Sequence, residues 1–467
     1  MAFSSMTFLF GFLPAVLVCY FLLPTRCRRG RNMVLLLFSL AFYAWGGVRL
    51  LPALLASCVL NWAGALLAAP GKRHRKAAYG CTLALNVTML GYFKYTGFLV
   101  TNLNALGADL TVPAIALPAG ISFFTFQAIA YLTDVYRGTI PAERSLGRVT
   151  LFMAFFPQLL QGPILRYGEF APALTDRRET VSDAADGAVR FCFGLGKKVL
   201  LADALGQIAN GAFAAGGRLT VSLAWLGAVA YTLQLYFDFS GYTDMAIGLG
   251  RVFGFSLPEN FDYPYVSKSA SEFWRRWHRT LSFWFRDYVY IPLGGSRCSV
   301  PRQLLNLLAV WLLTGLWHGA AWTFILWGLF FAVFLTAEKL WYGEALAQTR
   351  FLKHLYVLLL IAVSFVIFDA ASVSDAFRTI GSLFGLGGLP RSDVLARYYF
   401  DSYSGVFLVA IVGATPLPAK IVRQFSEDGP GKKIMSVVEP VVLLALLAIV
   451  TAYLVDGSFN PFLYFRF

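Results

Sequence analysis

Two histidines in apolar surroundings carry the most reactive chemistry that this sequence offers. His318 stands in LLTGLWHGAAW, inside a stretch, residues 303–337, that contains no Asp, Glu, Lys or Arg. Nothing else in that stretch titrates near neutrality. Loss of water disfavours the imidazolium, so a histidine placed there is held neutral and can accept a proton as a general base. A structural reading stands beside it: a neutral imidazole can tie membrane helices together through hydrogen bonds. His278 stands in SEFWRRWHRTLSFWFRDYVYIPLGG, among Arg275, Arg276, Arg279, Arg286 and a set of Trp and Phe rings. Such arginines would line a mouth that attracts an anionic donor. They would serve equally to anchor the segment on anionic lipid, with His278 one more polar residue at its rim.

Carboxylates are the third element. Asp238 and Asp244 lie six residues apart in LQLYFDFSGYTDMAIGLG, which on an ideal helix turns them about 120° from one another. That spacing argues against a carboxylate dyad. One of them could orient a histidine; capping or bridging of a broken helix together with Ser240 and Thr243 is the other reading. No P-loop, GxSxG or HExxH occurs, so phosphate-cradle, serine-hydrolase and zincin chemistry lack support. The six cysteines are widely spaced with no CxxC, and packing is the role assigned to them, with no metal site expected.

The solvent around these residues follows from composition. The chain of 467 residues is 58% hydrophobic, 16% aromatic and 14% charged, with a mean hydropathy of +0.63, more apolar than a soluble core requires. This predicts an all-α polytopic membrane protein. The net charge of +14 would suggest nucleic acid in a soluble protein, but cytoplasmic loops rich in Lys and Arg are the simpler source, and no nucleic-acid partner is expected. Apolar segments long enough to be considered as spans fall at 6–23, 33–47, 50–69, 77–98, 119–136, 149–165, 187–205, 220–250, 303–337, 354–371, 402–418 and 439–455. Basic clusters at 26–31, 72–76, 137–148, 268–302 and 420–433 are placed in the cytoplasm, and the N-terminus outside. The first apolar run is followed, not preceded, by arginines, so it is expected to stay as a membrane helix.

Two regions do not fit simple spans. Residues 149–215 carry Pro157, Gly162, Pro163, Gly194 and Gly196 within apolar sequence, and 220–255 is too long for one untilted span. Broken or re-entrant helices are expected in both, and such backbone is tolerated at membrane depth only where protein buries it or water lines it. On a helix over 273–288, Phe273, Trp274, Trp277, Leu281, Trp284, Phe285 and Tyr288 share an arc of about 120°, opposite Arg275, Arg279 and Arg286, the pattern of an interfacial amphipathic helix. If the helix bearing His318 starts near Gln303, the imidazole lies roughly 22 Å along it, deep in a core about 30 Å thick. Gly315 and Gly319 bracket it and permit close backbone approach or a local break. No internal repeat or long linker is seen, so a single membrane-embedded domain, 1–467, is expected.

Several stretches together resemble a known family. LPAGISFFTFQAIAYLTDVYRG, FFPQLLQGPILR, LQLYFDFSGYTDMAIGLGRVFGFSLPENFDYPY, SEFWRRWHRTLSFWFRDYVYIPLGGSR and LTGLWHGAAWTFILWG, in that order, resemble the membrane-bound O-acyltransferases (MBOAT), and within them the bacterial alginate O-acetyltransferase membrane-subunit branch. They cover the middle half of the chain, a motif core of residues 117–340.

The resemblance implies a ring of about 11–13 transmembrane or re-entrant helices, thinned at the centre, with a funnel from each side. It implies His318 as the reactive histidine and His278 as a second motif histidine. A cytosolic acyl thioester, acetyl-CoA or an acyl carrier protein, would enter from one side and a hydroxyl acceptor from the other, with no bound cofactor. Lys268, Arg275, Arg276 and Arg279 are candidates to bind donor phosphates. Trp317 and Trp322 are candidate oxyanion donors, and Asp238 and Asp244 supporting residues. The text YVYIPLGGSR resembles the alginate and peptidoglycan acetylation branch more than the D-alanyl transferases of teichoic-acid modification, so acetyl is favoured over D-alanyl. The same resemblance implies residence in the cytoplasmic membrane among lipid, a polysaccharide acceptor, and a separate periplasmic or extracellular partner of the SGNH-like type. A transporter is the rival class; it would show repeat symmetry between halves, which the sequence lacks.

Overall fold

The structure, a computed structural model, describes residues 1–216, 219–427 and 430–457. Among these residues every regular element is helical. Along the chain run α1 (Leu13–Phe21), α2 (Arg28–Trp45), α3 (Leu51–Ala68), α4 (Arg75–Ala105), α5 (Ile121–Arg137), α6 (Leu146–Ala154), α7 (Phe156–Leu159), α8 (Tyr167–Thr175), α9 (Val181–Gly196), α10 (Asp203–Phe213), α11 (Val221–Val252), α12 (Ala270–Arg276), α13 (Arg279–Phe285), α14 (Val300–His318) and α15 (Trp322–Ala337). After them come α16 (Gly343–Gln348), α17 (Leu352–Asp369), α18 (Val373–Leu383), α19 (Val394–Gly413), α20 (Leu417–Glu427) and α21 (Pro430–Asp456). The residues group into two compact units, one of 1–191, 245–258 and 286–288, the other of 192–244, 259–285 and 289–467.

Four described helical stretches are long and apolar enough to cross a membrane: Val48–Ala68, Trp322–Gln348, Leu352–Asp369 and Lys433–Asp456. Val394–Gly413 with Leu417–Phe425, bent by 70°, makes a fifth if the pair is one span. The chain is a multi-pass membrane protein.

In the first unit, prolines and glycines break the backbone over 149–176 as the sequence predicts: α6 ends at Ala154, α7 is a single turn opened by Pro157, and α8 starts only at Tyr167. Gly120, left-handed at φ 70°, starts α5, and a Cβ there would come within 2.4 Å of the Leu159 carbonyl oxygen. Only glycine allows that approach. Charge in this unit is buried in company. Glu179 takes Arg28, Arg31 and Arg177, and the Tyr20 hydroxyl donates to it. Asp287 pairs with Arg166 and Arg286, while the Tyr288 hydroxyl donates to Asp134 at 2.9 Å.

Two expectations for helix breaks, over 220–255 and 273–288, are corrected, and the local break that Gly319 permits is present. The break expected within 220–255 does not occur over 221–252, which form one unbroken 32-residue helix, α11. Its glycines serve close packing instead: a Cβ on Gly241 would come within 2.7 Å of the Gly194 carbonyl oxygen. The run 303–337 is two helices, because α14 stops at His318 and α15 starts at Trp322. Gly319 lies so close to the Phe324 ring that a Cβ would sit 2.0 Å from it, and this lets the chain double back. The helix expected over 273–288 is broken at Trp277 and His278, where His278 takes a left-handed φ of 43°.

The second unit is organised by the pair α14–α15. A Cβ on Gly315 would lie 2.3 Å from the Phe324 carbonyl oxygen, and one on Gly328 would lie 2.4 Å from that of Trp311. Helix axes this close need small residues on both sides, the usual device where no water is expelled on packing. Trp311, Phe324, Trp327 and Phe331 then fill a core joined by α11, α12 and α17. Gly328→Val should therefore lower the thermal midpoint of detergent-purified protein by an amount equivalent to about 1–3 kcal/mol. Gly91→Ala, in α4 with no neighbouring atom near its would-be Cβ, should leave it within about 0.5 kcal/mol. Equal midpoints for the two variants would refute the close-contact account.

Candidate active site

His318 is the last residue of α14, where the chain leaves the helix for the turn at Gly319. Its imidazole stands edge-on to Trp327 (centroids 5.1 Å apart), Phe368 (5.2 Å) and Trp317 (4.9 Å). It keeps 9% of its surface open, against 1% for His278. A helix terminus explains the placement: the next backbone is extended, so the side chain lies at the end of the hairpin and not along its flank.

His278 arrives from another direction. The segment carrying it is fixed first by Ser269, whose hydroxyl accepts from the Glu272 amide and caps α12. Glu338, at the end of α15 and 8% exposed, accepts from the backbone amides of Ala270 at 2.7 Å and Ser271 at 3.1 Å. Trp274 then inserts between Trp311 (4.8 Å) and Phe331 (4.8 Å), each edge to face. With α12 anchored so, the left-handed turn at His278 redirects the chain into α13 and points the imidazole inward. The ring meets Phe239 at 4.8 Å and Trp317 at 5.9 Å. Trp317 thus touches both imidazoles, and the two sequence-predicted histidines are brought together around one buried indole.

Burial pushes the His278 imidazole down from 6.5 to about 3, so it is neutral at working pH. It lies in the break between two short helices, outside the membrane-crossing stretches. Its Nδ1 is 3.1 Å from Oδ1 of Asn260. That oxygen also receives the Thr280 backbone amide at 3.2 Å and the Thr280 hydroxyl at 2.9 Å. Among the described residues Nε2 of His278 has no hydrogen-bond partner.

The proposed donor-binding residues separate. Arg275 and Lys268 are exposed. Arg276 is engaged by Glu272 at 2.9 Å and Asp262 at 3.3 Å, and Arg279 lies over the Phe283 ring. Burial alone would raise the Glu272 carboxyl, but the Lys268 amide and Arg276 hold it below the usual carboxylate range. Trp322, 57% exposed, opens onto the surface, whereas Trp317 is 2% exposed between the histidines. Asp238 and Asp244 answer to separate lysines: Lys198 Nζ lies 2.7 Å from Asp238 and 2.8 Å from Asp203, and Lys197 Nζ lies 2.6 Å from Asp244. Lys197 and Lys198 sit side by side in a π-helical turn, Lys197–Ala202, that joins α9 to α10. The bridging assigned to a broken helix is therefore made from an unbroken one, and the wide angle between the two carboxylates reaches both lysines.

The family model of the membrane-bound O-acyltransferases matches residues 145–374, which include both histidines and Trp317. The chain is 40% identical to the probable alginate O-acetylase AlgI of Azotobacter vinelandii, over 100% of both chains. This chain belongs to the MBOAT family. That full-length identity places it in the alginate O-acetylase branch of the family; a peptidoglycan O-acetyltransferase of Helicobacter pylori is 36% identical over 83% of this chain and 80% of its own. The teichoic acid D-alanyltransferase of Bacillus subtilis is 32% identical, over 46% of this chain and 58% of its own. As an MBOAT member the chain is a membrane O-acyltransferase, and the transporter reading is set aside.

Sequence reasoning missed Asn260 and Glu338. Both are polar residues in apolar or loop sequence, NFDYPY and FLTAEKLW, and their partners lie 18 and 68 residues away, a distance no local pattern reports. The depressed His278 sets a pH signature. Below 6.5 an unfolded histidine takes a proton that the folded one refuses, so its contribution to stability is complete above 6.5 and is lost as pH falls toward 3. At pH 5 the loss amounts to about 2 kcal/mol. The thermal midpoint of the wild type should therefore fall more between pH 7 and pH 5 than that of His278→Gln; parallel curves would show that the imidazole is not shielded.

Proposed function

We propose that this enzyme moves an acetyl group from a cytosolic thioester, acetyl-CoA or an acetylated carrier protein, across the cytoplasmic membrane to a hydroxyl acceptor, for O-acetylation of a cell-envelope or exported polysaccharide. The observation that carries the reading is the pair of buried imidazoles on one indole at the end of a helix hairpin, with His318 9% exposed and His278 1%. His318 removes the acceptor hydroxyl proton as the oxygen attacks the thioester carbonyl; the carbon–sulfur bond breaks and the thiolate leaves. The charge that develops on the carbonyl oxygen requires donors in a water-poor site, and the burial of Trp317 supports it over Trp322 as a candidate. Holding both reactants in one passage supplies much of the rate. Similarity over the full length to a protein named for alginate O-acetylation, and over 83% of this chain to one named for peptidoglycan O-acetylation, against 46% for a D-alanyltransferase, supports acetyl as the group transferred.

In this reading the whole chain acts as one ring of membrane helices with a funnel from each side. Residues 271–297 lie at the cytoplasmic interface, where exposed Arg275 and Lys268, with Arg279, meet the donor's phosphates. A periplasmic or extracellular SGNH-like protein then receives the acetyl group on the far side. The test is transfer from labelled acetyl thioester by purified protein in vesicles. His318→Ala should lower the rate by about 10²- to 10⁴-fold; an undiminished rate would end the base assignment. Charge reversal at Arg275 with Arg279 should raise KM for acetyl-CoA without lowering kcat, and an unchanged KM would return those arginines to lipid anchoring.

A further inference from the structure

We propose that Asn260 is a positioning residue that fixes the tautomer of His278, so that Nε2 presents an unprotonated lone pair to the reacting groups. The argument starts from a donor whose identity is not open to choice. The Thr280 backbone amide can only donate, and it lies 3.2 Å from one terminal atom of the Asn260 amide. That atom must then be the oxygen, whichever way the side chain is drawn. His278 Nδ1 is 3.1 Å from the same oxygen and must donate to it. In a neutral imidazole a proton on Nδ1 leaves none on Nε2.

Three further observations point the same way. The Asn260 backbone carbonyl accepts from the Arg279 amide at 3.0 Å, so main chain and side chain of Asn260 together clamp residues 278–280. His278 adopts a left-handed φ of 43°, a conformation that costs energy in a non-glycine residue and survives where surroundings enforce it. The ring is 1% exposed, and Nε2 is without a hydrogen-bond partner among the described residues. Phe239 from α11, Trp317 from α14 and Asn260 from the preceding loop face the ring, and none of the three is ionised. A buried acceptor held so firmly and left open suits a substrate O–H or N–H. His278 is then the group that meets substrate, and Asn260 acts through it.

This rests on the acetyl-transfer reading, but its central measurement does not use activity. The chain has four histidines, so ¹⁵N-histidine-labelled protein in lipid nanodiscs gives a spectrum in which His278→Gln identifies the signal of interest. The wild type should show His278 with Nδ1 protonated and Nε2 bare. Asn260→Ala should lose that state and lower kcat by about tenfold or more, with KM for acetyl-CoA changed less. Asn260→Asp keeps an acceptor at Nδ1 and should restore the tautomer and part of kcat. Its carboxylate stabilises imidazolium, so the acid limb of the pH–rate profile should move to higher pH. An Nε2-protonated ring in the wild type overturns the proposal, and so does Asn260→Ala with unchanged tautomer and unchanged kcat per folded molecule. If Asn260→Ala does not fold, the wild-type spectrum still decides. Transfer surviving His318→Ala would sink the base assignment and leave the tautomer result standing.

Discussion

The second unit depends on how closely two backbones approach. Gly315 and Gly328 let α14 and α15 touch at main-chain distance, and Gly319 lets the chain double back against Phe324. Within a membrane, apolar packing gains little from water expulsion, so close van der Waals contact between helices must supply the association. The hairpin fixes Trp311, Trp317, Trp327 and His318 as one rigid row, and Trp274 wedges against that row to bring in the segment with the second histidine. Three missing Cβ atoms therefore set the separation of two imidazoles that lie forty residues apart in the chain.

Polar groups follow a second constraint. A charge removed from water must be paired or hydrogen-bonded, or it will neutralise. Glu338 spends its carboxylate on two backbone amides, which fixes the start of α12. Lys198 is held by two carboxylates while Lys197 reaches a third, and the π-helical turn places these neighbours on different aspartates. In the other unit Glu179 gathers three arginines and a tyrosine. These pairs stiffen the helix ends and turns, where backbone groups lack intrahelical partners. The histidines sit instead among rings, His278 against Phe239 with Asn260 at its Nδ1, and His318 against Phe368.

Sequence made the two candidate histidines legible because each contrasts with its surroundings, His318 in a long stretch without charge and His278 amid rings and arginines. The break at Pro157 and beyond was legible for the same local reason. What local pattern could not report was which side a glycine serves. Residues 220–255 look too long for one span, yet α11 runs unbroken, and glycines such as Gly241 act as its contact points with a neighbouring helix. Conversely, no proline marks the interruption at Trp277 and His278, and an amphipathic wheel drawn through it runs smoothly. The turn there is imposed by Asn260, which grips residues 278–280 from eighteen positions upstream. Phe273, Trp274, Trp277 and Trp284 of the expected apolar arc are buried in protein, but they are divided by the break at Trp277 and His278 and do not form one helix face.

The left-handed residue ties these threads together. A histidine in that conformation is destabilising by about 1–3 kcal/mol when nothing compensates, and a glycine at the same place would remove the strain. It would also remove the imidazole. The clamp by Asn260, the wedge of Trp274 and the cap from Glu338 hold the strained turn, the last two from the hairpin core. A helix running straight through 273–288 would carry its histidine along the flank with the flanking arginines. Breaking it turns one side chain inward, against Trp317 and beside the helix end that bears His318, while Arg275 stays at the surface. The strain thus separates a buried imidazole from an exposed guanidinium within three residues of chain.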